Sequence, residues 1–122
     1  MSGKKILIVD DEEDFVHSVH ERLAFDGFEP YDATNGEEAL AAISREKPDL
    51  IVLDIMMPGI DGLKLYRRLR DNPATAGIPV VFVSVRWDYF NDPSISSDSR
   101  VRVLRKPFEL DVLVRTIRDA LT

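Results

Sequence analysis

Five side chains in this sequence have types that together suit phosphoryl chemistry, namely Asp10, Asp11, Asp54, Ser84 and Lys106. Each closes or follows an apolar run. Asp10 and Asp11 end Ile6-Leu7-Ile8-Val9, and Asp54 ends Leu50-Ile51-Val52-Leu53. Ser84 ends the run from Ile78 to Val83, and Lys106 follows Val101-Arg102-Val103-Leu104. Carboxylates crowded together repel, so such a group holds a proton or finds a cation. A hard cation such as Mg²⁺ prefers oxygen ligands and keeps several waters, which suits two or three carboxylates with a backbone carbonyl. A lysine charge and a serine hydroxyl complete a set that can stabilise the equatorial oxygens of a phosphoryl group in flight. The Asp54 carboxylate can then act as nucleophile and become an acyl phosphate.

Each residue also has a plainer reading. An Asp-Asp pair after a strand is usually a cap, and Asp54 or Ser84 alone is a turn residue. Lys106 before Pro107 is by itself a surface lysine. The acidic row Asp10-Asp11-Glu12-Glu13-Asp14 is a solvated helix start, since acids favour a helix N-terminus. The chemical reading rests on joint placement at successive strand ends.

The elements that must position these residues follow from periodicity. Short β-branched runs at Lys4 to Val9, Leu50 to Leu53 and Ile78 to Val83 read as strands buried on both faces. Glu29 to Ala33 is a weaker strand, and Pro30, which donates no ladder hydrogen bond, assigns it to a sheet edge. The more polar Val101 to Leu104 suits the opposite edge. Between the strands lie helical stripes. Val16, Val19 and Leu23 repeat before a stop at Gly27. Ala39, Leu40 and Ile43 follow Asn35-Gly36 and precede Pro48. Leu63, Tyr66 and Leu69 precede Pro73. Leu110, Leu113, Val114, Ile117 and Leu121 form the last stripe, from a start near Glu109. Alternation of this kind predicts an α/β fold, a parallel sheet with helices on both faces. Carboxyl ends of parallel strands share one rim, and ligands bind there where chain direction reverses. One stretch resists the pattern: Arg86 to Arg100, rich in serine and aspartate and holding Pro93, predicts a short or broken helix or a loop.

Composition narrows the class. A chain of 122 residues with 44% hydrophobic content is one ordinary domain, residues 1–122, with a sizeable core. Its net charge of −6 argues against a nucleic-acid surface. No apolar run approaches the ~20 residues of a membrane span, and the first residues lack signal-peptide anatomy. With no cysteine there is no disulfide framework. The expectation is a soluble cytoplasmic protein.

The chain resembles the receiver domains of two-component response regulators over essentially its whole length. The likeness rests on Ile-Leu-Ile-Val-Asp-Asp-Glu at 6 to 12 and Leu-Asp-Ile-Met-Met-Pro-Gly-Ile-Asp-Gly at 53 to 62. Ser84 after an apolar strand, Lys106-Pro107-Phe108 and the separations of Asp54, Ser84 and Lys106 complete it. The resemblance implies a flavodoxin-like doubly wound sheet of five strands in order 2-1-3-4-5. It implies that Asp54 is the phosphoacceptor, and that Asp11 ligates Mg²⁺ directly, Asp10 largely through water and Met56 through its backbone carbonyl. Ser84 and Lys106 would bind phosphoryl oxygens, the Lys106-Pro107 bond would be cis, and Pro58 and Gly62 would shape the loop after the acceptor. The implied donor is a sensor histidine kinase or phosphotransfer protein. The implied output is a switched protein contact, carried by a separate target or by an output domain outside this chain.

Three departures from the family pattern concern signalling. Val85 stands where many members have Ala or Gly, with the expectation of narrower access to Asp54. Val103 replaces the aromatic switch three residues before the lysine. Ser96-Ser97-Asp98-Ser99 replaces a Gly-Ala-Asp segment. They motivate an alternative, a phosphorylation-independent interaction module with a receiver fold. A Mg²⁺-dependent phosphohydrolase is a more distant reading, because Met56 stands where a second aspartate would act as general acid. The chain is therefore read as a signalling domain and not an enzyme. Arg100, Arg102 and Arg105 around the fifth strand are either a charged edge that blocks stray pairing or a docking or homodimer face. His17 and His20 read as ordinary surface histidines. Trp87, Tyr89 and Phe90 either cover the sheet or form an aromatic partner patch. As the only tryptophan, three residues past Ser84, Trp87 is predicted to change its fluorescence with Mg²⁺ and again with beryllofluoride. A flat titration would count against this placement.

Overall fold

The computed structural model describes residues 3–55, 61–85 and 93–122. Among the described residues five strands alternate with five helices: β1 Lys5–Val9, α1 Glu13–Phe25, β2 Glu29–Ala33, α2 Gly36–Glu46 and β3 Leu50–Asp54 come first. Then follow α3 Gly62–Asp71, β4 Val80–Ser84, α4 Pro93–Ser96, β5 Val101–Arg105 and α5 Leu110–Leu121. All pairings are parallel, in the order β2-β1-β3-β4-β5. Pro30 therefore lies in an edge strand, where its missing N–H costs no ladder bond.

The two-residue period of the strands divides the core into two layers. Leu7, Val9, Ile51, Leu53, Val80 and Phe82 face α2, α3 and α4, where they meet Ala39, Ile43, Leu65, Leu69 and Ile95. The alternate residues Ile6, Ile8, Leu50, Val52, Val81 and Val83 face α1 and α5, against Val16, Val19, Leu23, Leu113, Val114 and Ile117. The three central strands thus read as continuous apolar runs because both faces are covered.

Helix ends follow local chemistry. The Asn35 side chain accepts the Glu38 N–H at 2.9 Å at the start of α2, and Asp61 accepts that of Lys64 at 2.9 Å at the start of α3. Gly27, at φ 91°, turns the chain out of α1 in a conformation costly for any residue with a Cβ. The sequence expectation placed the fourth strand from Ile78, whereas β4 starts at Val80. Pro79 cannot donate to a ladder, so pairing begins after it. Pro93 is the first of the described residues of α4, which runs Pro93–Ser96. Of the stretch from Arg86 to Arg100, expected to hold a short or broken helix or a loop, residues 93–100 are described and carry a helix of four residues. No helix among the described residues is long and apolar enough to cross a membrane.

Gly62 joins the fold to the polar rim. Its N–H donates to the Ile55 carbonyl at 2.9 Å. A Cβ there would run into the Asp54 carbonyl oxygen and stand 2.7 Å from Ile55 Cα. This close approach seats α3 directly behind the end of β3. Gly62→Ala is expected to lower unfolding free energy by about 1–3 kcal/mol through overpacking against backbone. An unchanged urea midpoint would show that α3 can retreat without cost.

Candidate functional site

Strand register assembles the site. Val9 pairs with Leu53, so the next residues, Asp10 and Asp54, end adjacent parallel strands, which run about 4.8 Å apart. Ser84 pairs with Arg105, one residue before Lys106. Asp10 is wholly buried, Asp54 is 6% exposed and Ser84 1%, whereas Asp11 is exposed. Burial at this level removes most solvent screening from Asp10 and Asp54. One carboxylate oxygen from each of Asp10, Asp11 and Asp54 lies within 4.8 Å of the others. Three hard oxygen donors converging at that spacing, one of them open to water, fit a divalent cation that retains part of its hydration. Met56 and Pro58, the other expected contributors at this loop, lie outside the described residues.

Lys106 supplies the opposing charge. Its backbone N–H donates to the Ser84 carbonyl at 2.8 Å, and the Lys106-Pro107 bond is cis. Its ammonium donates to Asp10 Oδ2 at 2.8 Å and Glu12 Oε1 at 2.9 Å. Asp54 Oδ2 is farther, at 3.8 Å. The same nitrogen lies 4.3 Å from the centroid of the Phe15 ring, and that ring meets Phe108 edge-on at 5.9 Å. Burial works against the charged ammonium, but the hydrogen bonds to Asp10 and Glu12 and the charges of Asp10 and Asp54 outweigh it. The Lys106 pKa is accordingly held above its ordinary value.

Glu12 and Phe15 are members of this site that sequence reading did not single out. Glu12 stood inside the acidic row read as a helix start. It does occupy the N-cap of α1, but its side chain makes no capping hydrogen bond. Its backbone N–H instead donates to Asp10 Oδ1 at 3.0 Å, a turn that leaves the carboxylate facing Lys106.

The three signalling departures have distinct surroundings. Val85 is 61% exposed, an apolar side chain at the surface beside Ser84. Val103 is half-buried and packs against the cluster that holds Phe82, Tyr66 and Ile95. Asp98, from the segment replacing Gly-Ala-Asp, accepts from the Tyr66 hydroxyl at 2.5 Å and from Arg70 Nε at 2.7 Å. Burial disfavours its charge, yet the hydrogen bonds from Tyr66, Arg70 and the Arg100 N–H hold the Asp98 pKa below the usual carboxylate value. Burial and Asp98 together push Tyr66 up to about 12. The Tyr66 hydroxyl also lies 2.9 Å from the Ser94 carbonyl, and its ring meets Phe82 edge-on at 5.4 Å. Tyr66 thus links α3 to α4 and β4, a role hidden in the sequence behind its place on an apolar stripe.

His17 and His20 each have a carboxylate partner, Glu21 at 2.9 Å and Asp32 at 2.8 Å, and neither approaches the rim cluster. Arg102 donates to the Ser99 and Val101 carbonyls on the β5 edge. Arg86, Trp87, Tyr89 and Phe90 lie outside the described residues, so the predicted aromatic cover or patch is not located.

Comparison with known proteins identifies the family and the fold. Residues 6–118 match the family model of the response regulator receiver domain. The chain is 36% identical over 121 residues to the phosphate regulon transcriptional regulatory protein PhoB of Pseudomonas aeruginosa, covering 99% of this chain and 53% of that protein. It is 34% identical over 118 residues to the alkaline phosphatase synthesis transcriptional regulatory protein PhoP of Bacillus subtilis, covering 94% and 48%. The chain therefore spans about half the length of these curated relatives. The receiver domain of Francisella response regulator 1452 superposes with a TM-score of 0.84 at 28% identity, over 97% of this chain and 96% of that one. Chemotaxis response regulator CheY4 of Vibrio cholerae shares the fold, with a TM-score of 0.87 at 24% identity over 98% and 99%.

The pairing of Lys106 sets a pH dependence. A pKa raised on folding contributes stability that is fully present below the ordinary lysine value of 10.5 and is lost as pH rises through the folded value. Lys106→Met is expected to lower stability by about 1.5–3 kcal/mol at neutral pH, the range for hydrogen bonds to charged groups. Its deficit from wild type should shrink above pH 10.5 in urea titrations. A deficit that is flat to higher pH would mean that packing, not charge, carries it.

Proposed function

As a member of the response regulator receiver domain family, the chain is one for which we propose phosphorylation-switched signalling, with Asp54 as phosphoacceptor. The observation that carries this reading is the convergence of Asp10, Asp11 and Asp54 beside Lys106 on one rim. Asp10, Asp11 and Asp54, with the Met56 backbone carbonyl, would hold Mg²⁺. When bound, that ion offsets the negative charge of the incoming group and of the carboxylates. The donor is a phosphohistidine of a sensor histidine kinase or phosphotransfer protein. A carboxylate oxygen of Asp54 bonds to phosphorus as the P–N bond breaks. The imidazole nitrogen departs with the bonding pair and takes up a proton. Lys106 and the Ser84 hydroxyl hold phosphoryl oxygens as charge shifts onto them.

The acyl phosphate adds charge beside Ser84 and Lys106 and biases a switch of protein contacts. Residues 1–122 act as one receiver unit in the cytoplasm, and the output lies in a separate target or in a region beyond this unit. The arginine-bearing β5 edge is the candidate face for such a target or for a second copy. The domain turns over no external substrate beyond its own phosphorylation and autodephosphorylation. With Mg²⁺ and a small-molecule phosphodonor, the intact mass is expected to gain one phosphoryl group, and Asp54→Asn to abolish the gain. If wild type gains nothing, the reading fails. Equal partner affinity for wild type, Asp54→Asn and the beryllofluoride form would favour a phosphorylation-independent module.

A further inference from the structure

We propose that Glu12 is a positioning residue of this site: it parks the Lys106 ammonium away from Asp54 and so weakens the hold on a phosphoryl group. The inference rests on the reading of Asp54 as phosphoacceptor. An ammonium has three N–H donors. Lys106 directs two of them to Asp10 Oδ2 at 2.8 Å and Glu12 Oε1 at 2.9 Å, and its nitrogen lies 4.3 Å from the centre of the Phe15 ring. Asp54 Oδ2, at 3.8 Å, lies beyond hydrogen-bond reach. The ammonium is drawn toward Asp10 and Glu12, and a closer hold on a phosphoryl oxygen at Asp54 pulls it away from one of them.

The two acceptors differ in how easily they can be released. Asp10 is wholly buried, so water cannot take the place of Lys106 there. The Glu12 side chain is 65% exposed, so water replaces Lys106 there at little cost. Glu12 is therefore the contact that is exchanged. Its aim is built into the turn after β1: the Glu12 N–H is tied to Asp10 Oδ1, and its side chain leaves the N-terminus of α1 uncapped. A carboxylate at an N-cap would otherwise accept from the first-turn N–H groups. Here it serves Lys106, 94 residues away in sequence.

The test compares beryllofluoride affinity, measured by calorimetry at saturating Mg²⁺, in wild type, Glu12→Gln, Glu12→Asp and Glu13→Gln. Glu13 is exposed in the first turn of α1 and has the same charge to lose. Glu12→Gln is expected to tighten beryllofluoride binding by up to about fivefold, the upper range for an exposed ion pair. Glu13→Gln should change it by less than about 1.5-fold, since exposed charges at a distance are screened. Glu12→Asp keeps the charge but withdraws it by one methylene toward the helix N-terminus, and should tighten binding in the same direction. Mg²⁺ affinity should respond equally to Glu12→Gln and Glu13→Gln. Matching beryllofluoride affinities for Glu12→Gln and Glu13→Gln, with wild type still binding, overturn the inference alone. So does selective loss of Mg²⁺ affinity in Glu12→Gln, which would make Glu12 a metal ligand. If wild type binds no beryllofluoride, the phosphoacceptor reading falls, and this inference with it.

Discussion

Charge crowding at the carboxyl rim is the condition around which the rest of the molecule is arranged. The parallel register sets Asp10 beside Asp54, with Asp11 next in line, and two of these three carboxylates are nearly cut off from water. Like charges so placed raise one another's cost of ionisation unless a cation answers them. Lys106 is the protein's own answer, delivered from the far edge of the sheet by a backbone bond to Ser84 and held against Phe15. Among the described residues, one lysine faces three aspartates and Glu12. That excess of negative charge is the physical basis for proposing a divalent ion at the rim, and the lysine is the basis for proposing a phosphoryl group there.

A rim of this kind demands a stiff support. β1, β3 and β4 are covered on both faces, so the carboxyl ends project from a scaffold with two packed layers. Gly62 lets α3 approach the end of β3 until no side chain fits between them. Strand register is strongly held in such a sheet, because a slip by one residue would exchange the two apolar layers. Asp10, Asp54 and Ser84 inherit that fixity: each stands one position beyond the last apolar residue of its strand.

From the rim, packing leads toward α4. Phe82 lies two residues before Ser84 on β4 and meets the Tyr66 ring, and the Tyr66 hydroxyl reaches Asp98 and the Ser94 carbonyl. Val103 sits in the same cluster as a small aliphatic side chain. An aromatic side chain does bridge β4 and α4 here, but it is supplied by α3 rather than β5. Asp98, which reads as part of a loop substitution, is the polar end of that bridge together with Arg70.

Strand and helix order, the edge position of β2 and the five polar residues at strand ends were all legible in the sequence, because they are written in local periodicity and in the chemistry of proline, glycine and aspartate. Start points were less legible where backbone chemistry competed with hydropathy, as at Pro79. What only the tertiary structure decided is how the charges pair. Lys106 meets Asp10 and Glu12 across 96 and 94 residues of chain, and Arg70 and Tyr66 meet Asp98 across 28 and 32. No periodic signal spans such separations. The partner of a side chain at one strand end is chosen by which strands the sheet sets side by side and by which neighbours burial leaves within reach.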